Sequence, residues 1–142
     1  MIASCCSRDK TIKLSELSSG KLLRTFESDA DDVIFSMDGL MIAIIYSKVI
    51  KLRDVNSGKL LKTLSDDTNV EVMKFSRDGS KILACSDYII KLSDVSSGKC
   101  LKTFDFKEHL IKSIIISPDC SKIAVNYKTF DFHCFRVFVL VN

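Results

Sequence analysis

The sequence predicts an all-β chain built from repeated antiparallel meanders, and three observations predict it. A fifteen-residue stretch is written three times, as IKLSELSSGKLLRTF at 12–26, IKLRDVNSGKLLKTL at 50–64 and IKLSDVSSGKCLKTF at 90–104, with eight columns identical in all copies. A second signature, FSMDG at 35–39 and FSRDG at 75–79, recurs in weaker form as ISPDC at 116–120. Between these marks the apolar runs are short, rich in Ile, Val, Leu and Phe, and broken by turn residues every seven to ten positions, which is strand punctuation.

The spacing inside a unit is fixed and the spacing between units is not. Phe35 to Gly58 and Phe75 to Gly98 are both 23 residues, whereas Gly20 to Phe35, Gly58 to Phe75 and Gly98 to Ile116 are 15, 17 and 18. Rigid units joined by variable loops follow, at 1–26, 27–64, 65–104 and 105–142 of a single domain. The second unit is expected to place strands at 32–36, 41–47, 49–55 and 59–65, and the third at 70–76, 81–86, 89–95 and 99–106. Asp38-Gly39, Asp78-Gly79, Ser57-Gly58 and Ser97-Gly98 supply an oxygen to bond the local backbone and a glycine free to take positive φ, so four strands form one meander per unit. In the fourth unit Cys120 stands in the glycine position, where a positive φ costs on the order of 1 kcal/mol. Alternate positions of equivalent strands predict a core of Ile12, Leu14, Phe35, Ile42, Ile44, Ile50, Leu52, Phe75, Ile82, Ala84, Ile90, Leu92, Ile114, Ile116, Ile123 and Val125.

The bulk numbers exclude several classes. A chain of 142 residues is long enough for one sizeable core. The formal charge is +3 and the charges alternate along the chain, so there is no electrostatic footprint for nucleic acid and no polybasic membrane anchor. Hydrophobic content of 46% points to elements buried on two faces, yet no apolar run reaches the ~18 residues of a membrane helix, and the opening MIASCCSRDK lacks the form of a signal peptide. A soluble cytoplasmic chain is expected, with the nucleus also compatible. The six cysteines show no zinc-knuckle spacing and are expected to be reduced; Cys6 and Cys85, each before a serine, read as one strand position in two units.

Units of about forty residues with an FSxDG hairpin, an IKLxDxxSGK segment and an outer strand LKTF resemble the WD-repeat β-propeller family, and the resemblance covers essentially the whole chain. It implies blades of four antiparallel strands, each blade spread over two sequence repeats, and a partial β-propeller of about four blades. The family's tryptophan position is Ser15, Arg53 and Ser93 here, and no Gly-His pair lies in the loops 27–31, 65–69 or 105–109, so looser blades than the family norm are expected. Counting 23 residues back from Gly20 and forward from Ile116 leaves the first blade without its inner strand and the last without its outer one, giving three, four, four and three strands. Such an arc is expected to self-associate or dock onto another propeller fragment, helped by the apolar run FDFHCFRVFVLV near the C-terminus.

No catalytic constellation is apparent, so the chain is expected to be no enzyme and to use no cofactor or metal. His133 and Cys134 are adjacent on a strand and point to opposite faces, while His109 reads as a satisfied structural or surface histidine. Asp29, Asp31, Asp32, Asp66, Asp67, Asp105 and Glu108 lie in or beside the loops entering the inner strands, where they form an acidic rim for a basic peptide or simply keep the loops solvated. Lys21, Arg24, Lys59, Lys62, Lys99 and Lys102 fall on the outermost strands and read as protection against edge pairing. The expected function is a non-catalytic protein–protein interaction module or scaffold with a polypeptide partner, no nucleic acid and no membrane. The competing expectation is a truncated or decaying propeller fragment without independent function.

Overall fold

A computed structural model of the chain describes residues 1–6, 8–65, 69–107, 109–117, 121–128 and 133–139. Fourteen strands and no helix occur among these residues. They fall into two compact units, Met1–Asp67 and Thr68–Asn142.

The first unit contains β1 (Ile2–Cys6), β2 (Thr11–Ser15) and β3 (Leu22–Glu27) as one antiparallel sheet, and β4 (Asp32–Phe35), β5 (Met41–Tyr46), β6 (Val49–Asp54) and β7 (Leu60–Ser65) as another. The second unit contains β8 (Val72–Phe75), β9 (Lys81–Cys85), β10 (Ile89–Asp94) and β11 (Cys100–Asp105), then β12 (Leu110–Ile116), β13 (Lys122–Lys128) and β14 (His133–Val139). The sheets therefore hold three, four, four and three strands, each in sequence order, as the repeat spacing predicts. The expected strands overrun the observed ones by a residue or two, because residues such as Ser36, Ser76 and Ser86 already belong to the connections.

Each unit has its own core. In the first, Ile12, Leu14, Phe26, Ala30, Ile42, Ile44 and Val55 form one buried cluster; in the second, Leu83, Cys85, Ile90, Leu92, Ile111, Ile114, Ile123, Val125 and Tyr127 form another. Of the sixteen predicted core residues, only Phe35 and Ile116 are partly exposed, each the last residue of its sheet's first strand. The alternate positions understate the core at β5 and β9, where Ala43 and Ile45, Leu83 and Cys85 are buried as well, in keeping with the two buried faces that the hydrophobic content points to. These strands have a paired neighbour on either side, and both of their faces are covered.

One irregularity repeats. The pairing shifts by a residue between Leu14 and Ser15, between Leu52 and Arg53, and between Leu92 and Ser93, leaving Leu23, Leu61 and Leu101 as the extra residue on the outer strand. The adjacent apolar residues Leu22-Leu23, Leu60-Leu61 and Cys100-Leu101 all end up exposed for this reason.

The register also corrects one cysteine assignment. Cys5 lies opposite Ile12 as Cys85 lies opposite Ile90, so Cys5, not Cys6, is the counterpart of Cys85. Cys5 and Cys6 are both exposed, whereas Cys85 is buried, because β1 is an edge strand and β9 is not. Cys5, Cys6, Cys85 and Cys100 are free thiols. Cys120 and the apolar residues Phe130 and Phe132 lie outside the described residues.

Candidate functional site

The turns consume most of the polar side chains that distinguish the repeats. Ser36, 2% exposed, donates to Asp38 Oδ1 at 2.6 Å and to the Met41 carbonyl at 3.2 Å, and accepts from Met41 N–H at 2.9 Å. Ser76 makes the same three bonds with Asp78 and Lys81, and Ser117 repeats the two backbone bonds with Lys122. The hydroxyl thus staples both ends of the hairpin, which is what the FSxDG signature encodes. At the other turn Asp54 accepts from the Ser57 N–H and hydroxyl, and Asp94 from those of Ser97, while Glu16 accepts from the Ser19 hydroxyl.

These bonds favour the charged carboxylates. The Ser36 hydroxyl and then the Leu40 N–H hold Asp38 below its ordinary value, and the Ser57 hydroxyl and N–H do the same for Asp54. Asp78, bonded first by the Ser76 hydroxyl, is lowered to about 2.

Arg53 occupies the position where the resemblance expects tryptophan. Its guanidinium carbon lies 5.7 Å from the Phe26 ring centroid and Nη1 donates to the Gly58 carbonyl at 2.9 Å. Arg24 donates to the carbonyls of Asn56 and Ser57, so two arginines and one phenylalanine grip the 56–58 turn where a tryptophan is absent.

The expected acidic rim is only partly present as free charge. In the first unit Asp29 pairs with Lys10 at 3.3 Å, Asp31 accepts from the Ser47 N–H at 2.8 Å, and Asp32 accepts from the Val33 N–H at 2.8 Å. In the second unit Asp105 accepts from the Lys107 N–H at 2.8 Å. All four keep exposed or half-exposed carboxylates while shaping their loops. Asp66, Asp67 and Glu108 lie outside the described residues. A shallow depression of about 420 Å³ is lined by Asp9, Lys10, Thr11, Glu27, Ser28 and Asp29, and the Thr11 hydroxyl oxygen is shielded from water there without a partner.

Sequence reasoning missed an acidic pair, Glu71 and Asp87. Glu71 precedes β8 as Asp31 precedes β4, each donating its N–H to the strand beyond, at Cys85 and Ile45. Partial shielding from water, the Asp87 carboxylate and a hydrogen bond with it push Glu71 upward, and Lys112 opposes them. Burial, with Glu71 and Asp87 nearby, pushes the Cys85 thiol up to about 12, which favours the neutral thiol packed in the core cluster. The signal for the pair was the equivalence of Glu71 and Asp31; the Asp87 contact needs the β9–β10 turn in place.

His109 is structural, its ring stacked on Tyr127 at 4.9 Å between centroids and 8° between planes. Of the expected satisfied structural or surface histidine, the structural role is seen, while Nδ1 is buried without a hydrogen-bond partner. Among the described residues no group of three or more His, Cys, Asp or Glu side chains is placed to hold a metal ion. No helix of the described residues is long and apolar enough to cross a membrane.

Meanders of four strands, a stapled FSxDG hairpin and an acidic residue closing the IKLxDxxSGK turn are the features in which the chain resembles WD-repeat propellers. Residues 58–94 match the family model described as "WD domain, G-beta repeat". That segment runs from the turn before β7 to the end of β10, across two sheets, as expected when one blade is shared by two sequence repeats. Among solved structures the chain is similar to Kuenenia stuttgartiensis hydrazine synthase, a propeller-type structure, at 16% identity and a TM-score of 0.76 over 89% of this chain and 40% of that one. The likeness shows the fold, a partial β-propeller in class, and the chain spans about two fifths of that protein's length. No curated protein matches the sequence. Repeats of the WD40 kind serve in general as protein-interaction modules.

Proposed function

We propose that this chain is a non-catalytic interaction module, a scaffold of WD-repeat-type blades that binds a polypeptide, in the cytoplasm or nucleus, without a cofactor. The observation that carries the reading is the WD repeat at 58–94 set within four blade-type sheets. The local bonding of Ser36, Asp38, Asp54, Ser76, Asp78 and Asp94 supports it, since these groups hold turns and do not converge on a substrate. The half-exposed carboxylate of Asp29 and the exposed ones of Asp31 and Asp32 suit a basic segment of the partner. The test is affinity capture with the immobilised full chain, followed by calorimetry with the purified retained protein. A partner bound at defined stoichiometry and weakened by salt is the expected result. Small-molecule turnover by the pure chain, or no polypeptide retained beyond a control β-protein, would overturn it.

The replacement of tryptophan by Ser15, Arg53 and Ser93 favours a second reading, a fragment that is stable only within a larger assembly. Thermal unfolding separates the two: a cooperative β-sheet melt of the isolated chain supports the module, and a non-cooperative loss of signal supports the fragment.

A further inference from the structure

The junction between the two sheets of the first unit carries a surplus of positive charge. Arg24 of β3 lies across from Leu14, at the register that Lys62 and Lys102 hold in the sister sheets. Arg53 of β6 lies across from Leu60, at the register of Ser15 and Ser93. Arg24 Nη1 donates to the Ser57 carbonyl at 3.3 Å and Nη2 to that of Asn56, while Arg53 Nη1 donates to the Gly58 carbonyl at 2.9 Å. Two like charges are thus held against one tripeptide, and neutral carbonyls offset their repulsion only in part. Asp54, the carboxylate that acts on Arg24, is already taken up by the Ser57 N–H and hydroxyl. Among the described residues no carboxylate bonds either guanidinium.

The donors left over suit an anion. A guanidinium presents a planar fork of about five N–H donors, shaped to grip an oxyanion with two bonds at once. Here three bonds are made, all to carbonyls, and Arg53 Nε is shielded from water without a partner. An unmatched donor of this kind costs about 1–3 kcal/mol, which an arriving acceptor recovers. Both arginines are half-buried, Arg53 over the Phe26 ring, so a charge brought to them is poorly screened by water. Just beyond the turn β7 presents Lys59, which is exposed, and Leu60 and Leu61, which are 43% and 46% exposed. All of these groups lie between β3 and β7, inside the unit.

We propose that Arg24 and Arg53 form an oxyanion receptor for an acidic segment of the polypeptide partner: a Glu or Asp carboxylate seats on the two guanidiniums, and apolar neighbours of that side chain cover Leu60 and Leu61. Charge complementarity selects the acidic residue, and the leucine pair beside the charges selects an apolar flank. The bulge at Leu61 interrupts the register of β7, so the guest docks through its side chains and not as an added strand. The proposal rests on the polypeptide-binding reading and adds to it a contact of opposite sign to the Asp29, Asp31 and Asp32 loop.

The probe is a synthetic peptide in which glutamate pairs flank a leucine pair, added to the full chain beside its glutamine counterpart, inorganic phosphate and phosphatidylserine vesicles. Calorimetry is expected to show one-to-one binding of the glutamate peptide, weakened by salt, with the glutamine counterpart about tenfold weaker or more. Arg53→Ser installs the residue that the sister repeats carry, and is expected to weaken the peptide by about tenfold and to flatten its salt dependence. Leu61→Ser is expected to weaken it with the salt dependence kept, which separates the apolar contact from the charged one. Should Arg53→Ser fail to fold, Arg24→Lys, which keeps the charge and loses the fork, is read in its place. Equal binding of the two peptides, or full binding by a folded Arg53→Ser chain, would overturn the proposal. So would phosphate or vesicles bound in preference to the peptide, or a mass that rises with concentration and is unmoved by the peptide, which would mean that copies cover this surface. A chain that ignores the peptide yet retains a captured partner loses this site and keeps the interaction reading; one that retains nothing loses both.

Discussion

At the scale of single residues, two turns make separable predictions. Gly20, Gly39 and Gly58 all sit at positive φ, but only Gly58 is also crowded: a Cβ there would meet Phe26 Cε1 at 2.9 Å and Arg24 Nη1 at 3.1 Å. Gly20→Ala is expected to cost about 1 kcal/mol from backbone strain alone, and Gly58→Ala about 2–4 kcal/mol, because Phe26 is buried and must shift. Chemical denaturation of both variants measures the difference, and equal costs would show that the Phe26 contact is relieved without penalty. Ser76 is fully buried and anchors both Asp78 and the Lys81 strand end, so Ser76→Ala is expected to lose about 1–3 kcal/mol. Asp78 has a folded value of about 2, below its unfolded one, so its contribution is present above about pH 4 and is lost as pH falls toward 2. The wild type should therefore lose stability over that window, and Ser76→Ala should lose less. Glu71 has the opposite sign: its value is raised in the folded chain, so its carboxylate opposes folding at neutral pH and ceases to do so in acid. Because the group is exposed, Glu71→Gln is expected to stabilise by only about 0.2–0.5 kcal/mol at pH 7 and by nothing below pH 4, read from paired thermal melts.

At the scale of elements, central and outer strands should respond differently to truncation. β5 and β9 are covered on both faces, so Ile42→Ala or Ile82→Ala leaves a cavity expected to cost about 2–5 kcal/mol. Leu23→Ala on the bulge of β3 removes an exposed side chain and should stay within about 0.5 kcal/mol of the parent. Comparable losses at Ile42 and Leu23 in urea titrations would mean that the outer strand packs against something in solution. The bulges explain why the adjacent apolar residues were the hardest part of the strands to read. A doubled apolar residue breaks the period of two, and only the pairing register shows that the chain absorbs it by bulging and does not bury it.

At the scale of the whole molecule, the prediction concerns association. In the first unit Leu22, Leu23, Leu60 and Leu61 are between 43% and 53% exposed, and Leu17, Met37 and Leu40 add further apolar surface. Association with another chain would cover apolar surface of this kind. Light scattering coupled to size exclusion is expected to show a mass that rises with concentration above 15.9 kDa, and to fall back when Leu23 and Leu61 are replaced by lysine. A parent chain that stays at 15.9 kDa at tens of micromolar sinks this prediction.

By itself the sequence determined the strand class, the number of sheets and the identity of most of the core, because these depend on short-range periodicity and on turn residues whose backbone demands are local. Ser36, Asp38 and Gly39 are legible as one device for that reason, since their bonds span five residues at most. The tertiary structure decided what depends on pairing between distant segments: that Cys5 and not Cys6 matches Cys85, that Arg53 and Arg24 grip the 56–58 turn beside Phe26, and that Glu71 meets Asp87. A hairpin connection two residues longer shifts register without disturbing the repeat pattern, and a carboxylate acquires its neighbour only when two turns are folded side by side.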